Sequence, residues 1–295
     1  MWVLLAVSIV AVLEGCVGLD TVDYEHFTSP SEFTLDNKNL SPAQLAKNTQ
    51  EIELYYREPR TPKKVEASLE LAELSISSGN GYASLWRGAR ACYWLSRNVP
   101  DLAQRQRFAH KGAAMGRSAI KYSSERVEPY YYTALNIASF CEITRDKGFV
   151  PATSVLRRLL EHAKMAVALD EQFDHAGPQR FLGKFITGTS GYLMYQFGSF
   201  DDGLEHLRRA VELSPEFAQN QLFLAEALKD DGDYEGARAA IDRLFRSKIP
   251  RDHTVEHERW LREAVQLSAK LPKPAPESSV GIPTLSSAGD GERGN

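Results

Sequence analysis

The amino-acid sequence predicts an all-α fold, in which about four helix pairs and flanking helices stack into a solenoid. Apolar residues recur with the helical period almost throughout residues 63–267, and no stretch shows the alternation of a half-buried strand. Turn-forming residues (Gly, Pro or Asp-Gly) interrupt this pattern every 12 to 25 residues. Phe200 and Tyr234 follow equivalent turns 34 residues apart, which is the length of a two-helix repeat.

The N-terminal segment, residues 1–15, is predicted to be a lipoprotein-type signal peptide. Its apolar run is shorter than the about 20 residues that span a bilayer. The letters LEGC at residues 13–16 resemble the lipobox of bacterial lipoproteins, in which the cysteine is lipidated. Val17 rather than Asp after that cysteine favours the outer membrane. We therefore predict a periplasmic, lipid-anchored protein attached through Cys16, with plain secretion and a cytosolic location as alternatives.

The rest of the chain divides into a tether, a helical domain and a tail. Residues 16–40 mix Asp, Thr, Ser, Asn and one Pro with scattered aromatic residues and show no period, which is typical of an irregular tether. The helical repeat domain is predicted for residues 41–271. The tail, residues 272–295, is rich in Pro, Ser and Gly and is predicted to be disordered, because it has too little apolar surface to bury.

The helical domain opens with the pattern of a capped helix. Ser41 suits the N-cap, Pro42 suits the first helical position, and Gln44 suits the third position of a capping box. We expect this first helix to run from about Pro42 to Arg57, because prolines follow shortly afterwards.

Two consecutive segments have the spacing of a tetratricopeptide repeat. Small residues occupy the positions where paired helices approach closely, and larger apolar residues fill the seam beside them. The small positions are Gly191, Gly203, Ala210, Ala225 and Ala237, and the seam positions are Leu207 and Ile241.

Two weaker helix pairs precede these repeats, and one more amphipathic helix follows them. The first pair combines Trp86, Ala89 and Tyr93 with Ala109, Ala113 and Gly116, and the second combines Tyr132, Leu135, Asn136 and Ser139 with Leu159, Ala163 and Ala166. The last helix carries Trp260, Leu261, Ala264, Val265 and Leu267. Its position predicts that it caps the end of the stack.

Charge and cysteine content exclude several classes of protein. The net charge is −4 with a pI near 6.0, whereas a nucleic-acid-binding domain usually has a basic face, so no nucleic-acid partner is predicted. Three widely spaced cysteines do not make a disulfide scaffold or a CxxC metal site. Cys92 and Cys141 lie on the first helices of neighbouring pairs, where they could form a disulfide or remain buried thiols.

No catalytic residue, metal ligand or cofactor is predicted. The sharpest enzymatic motif is His253-Thr254-Val255-Glu256-His257, which fits the H-x-x-E-H pattern of a family of zinc proteases. Few residues remain downstream to supply a third ligand, so a surface helix is the preferred interpretation. A zinc hydrolase that uses His253, Glu256 and His257 is kept as the enzymatic alternative.

The concave face of the predicted solenoid is the candidate binding groove, because first helices line that face in helical-repeat proteins. Aromatic side chains with polar tips there suit an amphipathic ligand or a peptide. The same rings could instead pack between helices. The groove residues are Arg87, Trp94, Tyr130, Phe140, Tyr192 and Tyr195.

Three segments carry a resemblance to a known family. Residues 85–95 (LWRGARACYWL), 130–136 (YYYTALN) and 176–183 (AGPQRFLG) are similar to the T-component lipoproteins of tripartite ATP-independent periplasmic (TRAP) transporters. The resemblance covers about residues 63–245. It implies an all-helical, lipid-anchored periplasmic protein that associates with the transporter's substrate-binding protein and forms a homotrimer around a ligand-binding pore.

The sequence therefore predicts that this protein acts by binding other molecules. We predict a non-enzymatic periplasmic component that assists TRAP-type transport by binding a small organic or lipophilic ligand together with the substrate-binding protein. The alternative is an envelope scaffold that holds a peptide of a protein partner in its concave groove.

Overall fold

The fold is described from a computed structural model of the chain. The structure describes residues 21–22, 40–57, 59–76, 81–146 and 150–273, without the side chains of residues 21–22, 150–151 and 190–196. The signal peptide, residues 1–15, lies outside the described residues, as do Cys16 and nearly all of the tether and the tail. Their predictions remain expectations.

The described residues form eleven helices and one very short parallel strand pair. The helices are α1 (Pro42–Tyr56), α2 (Pro62–Ile76), α3 (Gly81–Asn98), α4 (Leu102–Tyr122), α5 (Val127–Asp146), α6 (Thr153–Leu169), α7 (Phe173–Phe197), α8 (Phe200–Leu213), α9 (Ala218–Asp231), α10 (Tyr234–Phe245) and α11 (Thr254–Ser268). The strands are β1 (Thr21–Val22) and β2 (Val150–Pro151). The predicted all-α solenoid is confirmed, with four helix pairs from α3 to α10.

The first helix begins as its sequence predicts. The Ser41 hydroxyl accepts from the backbone N–H of Gln44, and the Gln44 side chain accepts from the backbone N–H of Ser41 at 3.0 Å, which completes the capping box. Arg57 is the C-cap. The α1 and α2 helices then pack against each other, and the Ser68 hydroxyl donates to the carbonyl of Ile52 at 2.9 Å.

Small residues permit the close helix crossings, as the repeat pattern predicts. A Cβ atom on Gly183 of α7 would lie 2.7 Å from the carbonyl oxygen of Gly203 of α8. A Cβ atom on Gly116 of α4 would lie 2.2 Å from the Thr133 hydroxyl of α5. Leu207 is fully buried at the first crossing, where its side chain packs against Gly183.

The last helix, α11, closes the C-terminal end of the stack against α9 and α10. Trp260 and Ala264 are buried there with Leu267, whereas Val265 is 58% exposed and belongs to the outer face. Cys92 and Cys141 are buried free thiols, and burial raises the pKa of Cys141 to about 12. Among the described helices, none combines the length and apolar character that a membrane crossing requires.

Candidate functional site

The inner face of the solenoid forms a partly open cavity of about 870 Å³, hereafter the concave cavity. Its walls are α1, the first helix of each pair (α3, α5, α7 and α9), and α11. Eight aromatic residues line it, namely Tyr56, Tyr93, Trp94, Tyr131, Tyr132, Phe181, Phe223 and Trp260. Seven arginines and two lysines line it together with seven carboxylates, so aromatic rings and guanidinium groups dominate its surface.

A buried ion pair joins the two ends of the solenoid across this cavity. Arg60, between α1 and α2, donates from Nη2 to Oε2 of Glu256 on α11 at 3.0 Å. Trp94 of α3 donates from Nε1 to the other oxygen, Oε1 of Glu256, at 2.7 Å. Arg60 also donates to the backbone carbonyl of Asp252. We call Arg60, Trp94 and Glu256 the closing triad, because these contacts connect α11 with α1–α3.

A left-handed turn lies at the start of α7, beside the cavity. Asp174, His175 and Ala176 have φ values of 50°, 57° and 62°. None of the three is glycine, so each such residue costs about 1–3 kcal/mol of backbone strain unless the surroundings hold it. The helix continues in the ordinary right-handed sense after Gly177 and Pro178.

The buried guanidinium of Arg180 holds this turn. It donates to the carbonyl of His175 at 3.0 Å, to Asn220 Oδ1 at 3.0 Å and to the hydroxyl of Tyr131 at 3.2 Å. It also lies 3.3 Å from the Asp174 carboxylate, which accepts the Tyr131 hydroxyl at 2.8 Å. Burial raises the pKa of Asp174, but contacts with His253, Arg180 and Tyr131 outweigh it and hold that pKa well below its usual range.

Other lining carboxylates are also paired with cations. Glu53 binds Arg90 at 2.9 Å, Lys184 binds Glu226 at 2.6 Å, and Arg97 binds Glu142. Five of the nine lining cations therefore bind lining carboxylates, counting Arg60 and Arg180. The other four lining cations are Arg57, Arg251, Arg259 and Lys270.

The structure distributes the six predicted groove residues over several places. Trp94 lines the concave cavity. Arg87 instead binds Glu53 at 2.6 Å. Tyr130 packs on His162, and Phe140 lines a separate, more open cavity beside α4. The side chains of Tyr192 and Tyr195 lie outside the part of the chain that the structure describes.

The face that α5 turns towards the cavity explains the difference for Tyr130 and Phe140. The residues of α5 that line the cavity are Tyr131, Tyr132, Leu135, Ala138, Ser139 and Glu142. At about 100° per residue, the centre of this stripe lies roughly 140° around α5 from both Tyr130 and Phe140. These two side chains therefore face away from the cavity.

The H-x-x-E-H residues do not gather as a zinc-protease site requires. The two carboxylate oxygens of Glu256 accept hydrogen bonds from Arg60 and Trp94. His257 is buried, and its Nδ1 has no hydrogen-bond partner among the described residues. His253 instead lies beside His175 and Asp252. Within the described residues, these three form the group whose ligand atoms could hold one metal ion, all within 4.8 Å of one another.

Sequence reasoning missed the closing triad as a unit and the role of Arg180. Arg60 and Glu256 are 196 residues apart, so no local pattern connects them. The Gly-Pro-x-Arg segment did carry a signal. A Cβ atom on Gly177 would lie 2.4 Å from the Tyr131 hydroxyl, so the glycine allows this hydroxyl to reach Asp174.

Comparisons with known proteins agree with the fold. A tetratricopeptide-repeat family profile matches residues 194–248. The crystal structure of a thermophilic tetratricopeptide-repeat protein from Thermus thermophilus is similar, with a TM-score of 0.50 and 16% identity over 74% of this chain and 99% of that chain. Yeast Tom70 matches with 11% identity over 82% of this chain and 69% of that chain, but its TM-score of 0.26 supports no argument. No curated protein matches significantly. The fold is therefore a tetratricopeptide-like helical solenoid.

Proposed function

We propose that this protein is a non-enzymatic interaction scaffold that holds a segment of a protein partner in the concave cavity. The observation that carries the proposal is the composition of the cavity wall, to which α1, α3, α5, α7 and α11 contribute arginine, tyrosine or tryptophan side chains. These residue types supply most of the energy of protein interfaces, because they bury large areas and add directed hydrogen bonds. Helical-repeat solenoids commonly use such a concave face for binding.

The charge of the cavity favours an acidic partner segment. Nine cations face seven carboxylates, and Arg57, Arg251 and Lys270 are exposed at the cavity wall. A segment with Asp, Glu or a terminal carboxylate would bind guanidinium groups through bidentate hydrogen bonds. Its apolar side chains would contact the aromatic rings between them.

Site-specific photocrosslinking tests where the partner lies. A photoreactive phenylalanine analogue at Tyr93, on the cavity wall, is expected to crosslink in cells to one peptide of one protein. The same analogue at Met165, which is 41% exposed on α6 outside the cavity, should not capture that peptide. Capture of the peptide from both positions, or from Met165 alone, would contradict the proposed site.

Charge reversal on α11 tests the predicted acidity of the segment. Arg259 lines the cavity, whereas Arg262 lies on the exposed face of the same helix. We expect Arg259→Glu to weaken binding of the crosslinked peptide at least tenfold, or about 1.4 kcal/mol, measured by fluorescence anisotropy. Arg262→Glu should bind as the unmodified protein does. Equal affinities for both variants would overturn the acidic-segment proposal.

Transport of a small ligand is the second candidate, and the volume of the cavity favours it. About 870 Å³ falls within the range of roughly 300–1,000 Å³ that small-molecule sites occupy. Under this second proposal, the protein is a periplasmic component that is lipid-anchored at Cys16 in the outer membrane. It assists TRAP-type transport as a homotrimer that binds a small organic or lipophilic ligand together with the substrate-binding protein.

Native mass spectrometry of protein purified from its own host separates the two candidates. A trimer, or any state that carries a stoichiometric small molecule, is the result expected for transport, and the added mass identifies the ligand. A monomer that carries no small molecule and binds the crosslinked peptide is the result expected for the scaffold. For the anchor, Cys16→Ser should release the protein from membranes, and unchanged membrane partition would contradict lipidation.

A further inference from the structure

We infer that His175, Asp252 and His253 bind a divalent transition-metal ion of the zinc type at the rim of the concave cavity. His175 Nε2 lies 3.3 Å from Asp252 Oδ2, and His253 Nε2 lies 4.0 Å from the same oxygen. A tetrahedral zinc ion with bonds of about 2.0–2.1 Å separates its ligand atoms by roughly 3.3 Å. Small side-chain adjustments therefore suffice to bring all three atoms around one ion.

Aromatic packing fixes the direction of both imidazole rings. The His175 ring stacks on the Phe217 ring, with centroids 4.4 Å apart and an angle of 8° between the planes. The His253 ring packs edge-on against Phe217 at 5.3 Å and lies 5.8 Å from Trp260. These contacts hold both rings where their Nε2 atoms lie 3.3 Å and 4.0 Å from Asp252 Oδ2.

Carboxylates beside His253 supply the second layer that metal-binding histidines usually have. Asp174 Oδ1 lies 3.5 Å from His253 Nε2, close enough to act as a fourth ligand or to accept a hydrogen bond from a metal-bound water. Glu256 Oε2 lies 4.0 Å from the other ring nitrogen, Nδ1 of His253. When Nε2 of His253 binds the ion, the ring proton lies on Nδ1, on the side of the ring that Glu256 Oε2 faces.

The left-handed turn gives His175 its position in this group. Its φ of 57° directs the chain so that the side chain reaches Asp252, 77 residues away in sequence. The carbonyl of His175 accepts hydrogen bonds from Arg180 at 3.0 Å and from Asn220 at 3.1 Å. A buried network thus stabilises a strained conformation at this residue, an arrangement that is concentrated at functional sites.

The ligand set selects the kind of ion. Two imidazoles and one carboxylate suit zinc and neighbouring transition metals, whereas calcium and magnesium prefer oxygen ligands. Three protein ligands leave at least one coordination position open. Asp252 and His253 line the concave cavity, so this open position would be accessible to a carboxylate bound there.

Zinc titration of the full chain tests the site without reference to any partner. Isothermal calorimetry of the wild-type protein should give one Zn²⁺ per chain, and His175→Ala and Asp252→Asn should each weaken binding at least tenfold. His110→Ala, on α4, is the matched control and should leave the affinity unchanged. If the wild-type protein does not bind one Zn²⁺ per chain, or if His175→Ala binds Zn²⁺ as tightly as the wild-type protein does, the proposal is overturned.

A spectroscopic measurement on the wild-type protein avoids any effect of substitution on folding. The chain has seven histidines, and their ring nitrogens can be followed by ¹⁵N-detected nuclear magnetic resonance. Addition of one equivalent of Zn²⁺ should shift the Nε2 resonances of His175 and His253 and leave the other five in place. Shifts spread over the other histidines, with His175 and His253 unmoved, would contradict the assignment.

Discussion

Replacing Arg180 by methionine is expected to lower the free energy of unfolding by about 3–5 kcal/mol. The substitution leaves the Asp174 carboxylate without its buried cationic partner. It also removes hydrogen bonds to the carbonyl of His175 and to Asn220, so the left-handed turn loses the contacts that offset its strain. Methionine retains most of the apolar volume of the side chain, so the effect reports lost hydrogen bonds and charge more than a cavity.

Urea denaturation followed by circular dichroism measures this loss. Arg209→Met is the matched control, because Arg209 also binds a carboxylate, Glu171, but is largely exposed. An exposed ion pair contributes little, since solvent screens it and the long side chains lose freedom in forming it. We expect the urea midpoint of Arg209→Met to be essentially unchanged. A similar midpoint for Arg180→Met would show that the buried network does not stabilise the turn.

Removing the Glu256 carboxylate from the closing triad is expected to lower the free energy of unfolding by a comparable amount. The structural effect should be concentrated in α11. In Glu256→Leu, the Arg60 guanidinium, whose side chain is 4% exposed, remains buried without its carboxylate. Breaking one side of a buried pair costs about 3–5 kcal/mol. Because Arg60 and Trp94 connect α11 with α1–α3, we expect α11 to open locally before the rest of the chain unfolds.

Hydrogen exchange and a double-mutant cycle test this expectation. Amides of α11 (Thr254–Ser268) should exchange at least a hundredfold faster in Glu256→Leu, whereas Val265→Ala, on the exposed face of α11, should leave exchange nearly unchanged. Adding Arg60→Met should recover most of the stability, because an apolar pair replaces the ion pair. About 1–2 kcal/mol should remain lost, since Trp94 Nε1 has no acceptor. Additive losses in the double variant would contradict the proposed coupling.

Much of the helical framework could be predicted because its causes are local. The capping box at Ser41 and the proline after it are sufficient to begin α1. The 34-residue spacing and the small residues at positions such as Gly203 and Ala237 are sufficient to pair α7 with α8 and α9 with α10. These patterns depend on residues within a few turns of one another, so the sequence alone contains the information.

The candidate site was less predictable, because its surfaces depend on the angles between helices. The sequence places aromatic residues on the first helices, and Trp94 does line the cavity. It could not decide whether Tyr130 or Tyr131 faces inward, since adjacent residues differ by about 100° of rotation and the packing of neighbouring helices sets the outcome. Tyr131 and Tyr132 line the cavity, whereas Tyr130 packs on His162.

The sequence by itself determined that this chain is a helical solenoid, where its first helix begins, and which small residues lie at several helix crossings. Only the tertiary structure decided that Arg60 and Glu256 meet, and that Asp174, His175 and Ala176 adopt a left-handed turn. The physical reason is that helix periodicity and capping act over a few residues. A buried ion pair or a strained turn is instead stabilised by partners far away in sequence, such as Arg180 and Asn220 around His175.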